Sequence, residues 1–155
     1  MREAPTATNV LGRGVVAGVA GTVFMTAFQK FVEMPITGRE DSYAPAEFTE
    51  KVFGLAPETP AARWRLNNAT HLALGTMWGA VYAVAARAGL RGPRAVAAVF
   101  VTVYAGDVLL NTALGLYRPQ DWSGEDWAVD VIDKLVQAAS TGAIFERFLD
   151  PARPS

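Results

Sequence analysis

The chain has 155 residues, 51% of them apolar, with 14 basic and 15 acidic side chains, one histidine and no cysteine. These values suit one compact unit and exclude a disulfide scaffold, a thiolate metal site and a cysteine nucleophile. A net charge of −1 lacks the basic surplus that phosphate recognition requires, so no nucleic-acid partner is expected.

The mean hydropathy of +0.18 matches a soluble domain only as an average. Charge is absent from Gly14 to Gln29, and apolar residues run on past Lys30 to Val32 before Glu33 and Pro35 close the stretch. An α-helix needs roughly 20 residues to cross about 30 Å of hydrocarbon, so 14–33 is the first expected span. Arg2 and Arg13 precede it as in a secretory signal, but no small-x-small cleavage site follows and Lys30 and Glu33 occupy its place. An uncleaved anchor is expected.

The loop 34–65 comes next, and its centre predicts a short amphipathic helix over Ala44–Phe53. Pro45 suits a first helical turn and Gly54 a stop. Phe48, Val52 and Phe53 fall largely opposite Glu47, Glu50 and Lys51, so the helix is expected on the outer membrane surface or over the bundle mouth. A second charge-free window, 66–86, is long enough to span. A third, 95–117, is interrupted only by Asp107 and closed by Pro119. The fourth, 128–149, carries Asp130, Asp133 and Lys134 in its first half and inserts only by packing against the others. Asp126 favours its start through the helix dipole. The expected fold is all-α: one integral membrane domain over 1–155, a four-helix transmembrane bundle with an amphipathic helix in the first outer loop.

The connection between spans two and three carries Arg87, Arg91 and Arg94 without an acidic residue, while Arg2, Arg13, Arg147 and Arg153 flank the chain ends. The other two connections hold most of the carboxylates. The positive-inside rule then places both termini in the cytoplasm. Trp64, Trp122 and Trp127 fall at the outer helix ends, where indoles anchor at headgroups.

Gly12-Arg13-Gly14-Val15-Val16-Ala17 matches the dinucleotide pattern G-x-G-x-x-A, yet no strand-forming run precedes it, so the glycines are read as helix contacts and no cofactor is expected. Gly14, Gly18 and Gly21 lie on nearby faces of span one, and Gly75 and Gly79 form a G-x-x-x-G in span two. Small residues at this spacing support close packing within the bundle, a homo-oligomer, or a membrane-protein partner.

Each span also carries one polar stripe: Thr22, Thr26, Gln29 and Glu33; Asn68, His71 and Tyr82; Tyr104, Asp107 and Asn111; Asp130, Asp133, Gln137 and Ser140. Polar groups facing lipid are expensive, so the stripes are expected to point inward. Lys30, Glu33, His71, Asp107, Asn111, Asp130, Asp133 and Lys134 form the candidate intramembrane cluster, in the outer half of the bilayer with Asp107 near its midplane. Asp107 is expected to be protonated, paired with Lys134 or Lys30, or hydrated in an outward-opening cavity. Asp130 and Lys134 can pair along their own helix, leaving Asp133 for His71 or Lys30. The cluster reads as an ion-pair network fixing helix register, as a proton or ion relay, or as a small-molecule site. Metal ligation is not favoured, because no Glu-x-x-His pair and no cysteine are present. Nor is nucleophilic catalysis, because no G-x-S-x-G occurs. Tyr117 to Trp122, followed by Trp127, form a stiff aromatic outer turn.

The glycine-rich first span running into Phe31-Val32-Glu33-Met34-Pro35, His71-x-x-x-Gly75, and Asp126-Trp127-Ala128 with Asp130 and Asp133-Lys134-Leu135 together resemble small bacterial inner-membrane proteins of the YagU-like kind. The resemblance implies four spans and little chemistry. The leading expectation is a multi-pass protein of the bacterial inner membrane, in contact with the bilayer, whose polar interior opens outward and handles a small solute, an ion or protons. Its competitor is a non-catalytic subunit or scaffold bound to a larger membrane complex, and a membrane enzyme comes third.

Overall fold

The structure, a computed structural model, describes residues 6–150, so the terminal charges Arg2 and Arg153 lie outside the described residues. Within that range it is helical, without strands. Four long helices are α1 (Ala7–Thr37), α3 (Pro60–Arg87), α4 (Gly92–Ala113) and α5 (Gly124–Ile144, prolonged by the π turn Phe145–Leu149). The short α2 (Ala44–Phe53) sits between α1 and α3 in the chain. Of these, α1 and α4 are long and apolar enough to cross a membrane. Asn67, Asn68 and His71 keep α3 below that hydropathy, and the charges of its first turns do the same for α5.

Local chemistry sets the helix ends. Thr6 and Thr59 accept N–H bonds from Asn9 and Ala62 at 3.3 and 3.1 Å, supplying partners to amides the helices leave open. Ser123 and Asp126 cap α5 reciprocally, at 3.1 Å from the Asp126 amide and 2.9 Å from the Ser123 amide. The positive φ of Gly115, 72°, follows the end of α4 and lets the Leu116 amide reach the Asn111 carbonyl at 2.8 Å. Span three therefore stops at Ala113, short of the expected Tyr117, and Pro119 opens a separate 3-10 turn. Within α1, residues Gln29–Glu33 form a π turn. Pro35 explains it: the ring crowds the carbonyl four residues back and offers no N–H, and the wider turn before it absorbs the conflict.

The helices form a bundle in which α1 and α4 each pack against both α3 and α5. The glycines fix the α1–α3 approach. A Cβ on Gly14 would stand 2.5 Å from the Gly79 carbonyl oxygen, and one on Gly79 2.6 Å from the Gly18 nitrogen. Gly75 faces Thr22, and Gly21 faces Thr141 of α5. The predicted glycine faces are thus occupied within the chain. The Gly12–Ala17 run lies within α1 and not in a turn that opens a helix.

The bundle is solid at one end and hollow at the other. Val10, Ala17, Ala83, Ala86, Ala95, Val99, Ala138 and Phe145 pack around Tyr82 near the amino end of α1. Here Tyr82 donates to Glu146 Oε1 at 2.7 Å, and the same oxygen accepts the Gly92 amide at 2.7 Å. Arg91 pairs with Asp150 at 2.9 Å and donates to the Ala86 carbonyl, tying the α3–α4 connection to the end of α5. Arg13 donates to the Leu149 carbonyl at 3.1 Å.

α2 lies over the other end, packed against α3. Its contact face is Ala46 and Thr49, both buried, while Val52 and Phe53 are 44% and 69% exposed. The reason is polar: the Ala46 amide donates to Asn67 Oδ1 at 3.1 Å, and the Thr49 and Thr70 hydroxyls share a bond of 2.6 Å. Arg63 then closes on Glu50 at 2.8 Å and stacks over the Tyr43 ring at 5.1 Å.

Candidate functional site

At the hollow end the four long helices and the α1–α2 connection enclose a cavity of about 650 Å³. All eight polar residues singled out from the sequence line it. They arrive there because each helix presents its polar stripe to the bundle axis, and because α1 widens into its π turn at Gln29 and Glu33.

The floor is a hydrogen-bonded layer between α1 and α5. The Thr22 hydroxyl donates to the Gly18 carbonyl at 2.8 Å and accepts the Gln137 amide at 3.0 Å. Above it, the Gln29 amide donates to Asp133 Oδ2 at 2.6 Å, and His71 Nε2 lies 3.1 Å from the Thr26 hydroxyl. On the α4–α5 side Lys134 Nζ stands 3.5 Å from Asp107 Oδ2 and 4.0 Å from Asp130 Oδ1. Asn111 holds the other Asp107 oxygen at 3.0 Å. Glu33 accepts the Thr37 hydroxyl at 2.7 Å. At the rim, Lys30 reaches Asp41 at 3.6 Å with both side chains half exposed, and Arg39 reaches Asp126 at 3.3 Å.

Two expected pairings are replaced. Asp133 meets neither His71 nor Lys30, because Gln29 lies nearer on the facing helix and Lys30 turns outward to Asp41. The Asp107–Lys134 and Asp130–Lys134 pairs are present as expected. Sequence reading left Gln29 out of the cluster, although it lies on the stripe of Thr22, Thr26 and Glu33. It also gave no role to Asp41 or Thr37, whose partners depend on how α1 ends.

Several buried polar atoms in this region have no hydrogen-bond partner: Asp107 Oδ2, Asp130 Oδ2, Asp133 Oδ1, Gln137 Oε1 and Tyr104 Oη. Asp133 and Gln137 are 6% and 1% exposed, and both line the cavity. Among the described residues no group of three or more His, Asp or Glu is placed to hold a metal ion.

Beside the mouth, Tyr117, Trp122 and Trp127 contact one another in sequence, tilted and then edge-on, at centroid distances of 5.5 and 4.8 Å, the aromatic turn expected there. The Ser123 hydroxyl and amide hold the Asp126 carboxyl below the usual carboxylate range, with Arg39 acting in the same direction. Glu50, closing on Arg63, holds its guanidinium pKa above the ordinary arginine value.

Comparison with family models, curated proteins and solved structures finds no match for this chain.

Proposed function

We propose that this is a multi-pass protein of the bacterial inner membrane, a four-helix transmembrane bundle with both termini cytoplasmic. Its cavity opens to the outer side and binds a small solute. One observation carries the reading: polar residues from four helices converge on a single cavity of about 650 Å³, where the buried Asp133 Oδ1 and Gln137 Oε1 have no hydrogen-bond partner. A network built only to fix helix register would close on itself, as the Thr22–Gln137 layer nearly does. A volume of about 300–1,000 Å³ is typical of small-ligand pockets.

The membrane placement is supported by what the apolar helices do not bury. Only 22% of the spanning window of α4 and 39% of that of α1 are covered within the protein, whereas a soluble core helix is mostly covered. Val16, Val23, Phe24, Val101 and Leu109 are each more than half exposed, forming apolar outer faces suited to lipid. The resemblance to YagU-like proteins is part of the same proposal. The scaffold reading is weaker, because the glycine faces that would bind a partner already pack α1 on α3.

The absence of cysteine makes the test clean. A single Leu74→Cys places a thiol in the cavity wall, Ala83→Cys one in the packed end, and Arg87→Cys one at the opposite end of the bundle. In intact spheroplasts a membrane-impermeant maleimide is expected to label Leu74→Cys alone, and Arg87→Cys only after lysis. Labelling of Arg87→Cys from outside, or protection of Leu74→Cys, overturns the topology or the open cavity respectively.

A further inference from the structure

We infer that the ligand of this cavity is a small organic cation bearing N–H donors, a primary ammonium or guanidinium group on an apolar body. This rests on the outward-open cavity just proposed and adds the chemistry of its occupant.

The first observation is the sign of the lining. Six carboxylates, on Glu33, Glu40, Asp41, Asp107, Asp130 and Asp133, face three lysine or arginine side chains. Each of those cations already has a carboxylate partner: Lys134 on Asp107 and Asp130, Lys30 on Asp41, and Arg39 on Asp126. The lining therefore has no further lysine or arginine to bring to Asp133 or Glu33.

The second observation is the kind of atom left over. Of the five buried polar atoms without a hydrogen bond, four are acceptor oxygens, on Asp107, Asp130, Asp133 and Gln137. The Asp107 oxygen faces the Lys134 ammonium, and Asp130 has the Tyr104 hydroxyl as a neighbouring donor, which leaves Asp133 and Gln137. Asp133 is the sharpest case. It is only 6% exposed, one oxygen is held by Gln29 at 2.6 Å, and the other has no partner while its residue lines the cavity. Gln137 repeats the pattern below it, its amide nitrogen bonded into the floor and its oxygen left open. An anionic ligand would leave these oxygens unmatched and add repulsion. A metal ion would require a ligand set that the described residues do not assemble. A donor-rich organic cation answers both the charge and the geometry, since hydrogen bonds from an ionised donor to a carboxylate are the strong kind.

The third observation concerns the rest of the wall. Trp78, Tyr117, Phe48 and Met25 line the same cavity, giving an apolar and aromatic side on which the body of such a ligand rests and whose ring faces attract cations.

The test uses the purified full-length protein in detergent micelles and three probes of one shape: protonated benzylamine, benzyltrimethylammonium and benzyl alcohol. Calorimetric titration at neutral pH is expected to show benzylamine binding at least about tenfold tighter than either other probe, because only it carries both charge and N–H donors. Asp133→Asn is expected to weaken benzylamine about ten- to a hundredfold while leaving benzyl alcohol unchanged. Asp130→Asn serves the same purpose if Asp133→Asn fails to accumulate. Equal binding of benzylamine and benzyl alcohol, no binding of any probe, or an unchanged benzylamine affinity in the variants overturns the assignment. Labelling of Leu74→Cys, measured in parallel, separates the two failures: a labelled cavity that ignores ammonium refutes the ligand class alone, and an unlabelled one refutes the open cavity as well.

Discussion

Gly79→Ala tests the close approach of α1 to α3. The added methyl would meet the Gly14 carbonyl oxygen, the Gly18 nitrogen at 2.6 Å and the Gly14 carbonyl carbon at 2.7 Å. All three are backbone atoms, so no side chain can rotate away and α1 must shift from α3. Ordinary carbon contacts lie at about 3.5–4.0 Å and the Gly14 carbonyl oxygen stands nearer than the other two atoms, so the shift exceeds about 1 Å, enough to forfeit about half of each neighbouring contact. Overpacking of this kind costs about 1–3 kcal/mol, and rigid neighbours place it at the upper end. Alanine also gains about 0.8–1 kcal/mol over glycine inside a helix. The steric effect wins, for a net loss of about 2 kcal/mol. Gly106→Ala is the control, because nothing lies within 4 Å of the methyl it would add; there only the helix propensity acts, and stability is expected to rise by up to about 1 kcal/mol. Equilibrium unfolding of both variants in mixed micelles measures the difference. Equal stability of the two variants would refute the close α1–α3 approach.

Lys134→Met is expected to destabilise by about 3 kcal/mol, the lower end for a broken buried pair, because Lys134 and Asp107 keep 23% and 20% of their side-chain surface open. Adding Asp107→Asn should recover part of that loss, and strict additivity in the double-mutant cycle would count against the pair. Gln137→Leu is expected to stay within about 1 kcal/mol of the parent, since Thr22 keeps its bond to Gly18 and a buried acceptor without a partner is removed; a much larger loss would make Gln137 a structural residue. The depressed Asp126 carboxyl contributes stability that is present above the usual carboxylate pKa of about 3.9 and is lost as pH falls through its lower folded value. Ser123→Ala should bring the Asp126 titration, followed by NMR, back up toward the ordinary range.

The helices were legible because charge-free windows, Pro45 and Gly54 are local signals. So was the membership of the polar cluster, since one stripe per helix leaves little freedom about which way it faces. What sequence could not supply was distance between helices. Asp133 meets Gln29 rather than His71 because Gln29 lies nearer on the facing helix. The lock joining Tyr82, Glu146, Arg91 and Asp150 links residues more than fifty positions apart, and Arg91 in isolation is only a loop charge. The contact face of α2 went to Ala46 and Thr49 because Asn67 and Thr70 stand opposite, which hydrophobic patterning does not register.

The unequal ends of the bundle have an electrical consequence under the proposed placement. Water entering the hollow half carries the potential of the outer solution down to the Thr22–Gln137 floor, so the voltage across the bilayer falls mainly over the dry alanine and glycine half. A charge resting on Asp133 is then electrically almost outside, however deep it lies in space. One elementary charge driven through the packed half would experience nearly the full value of about 2.3 kcal/mol per 100 mV.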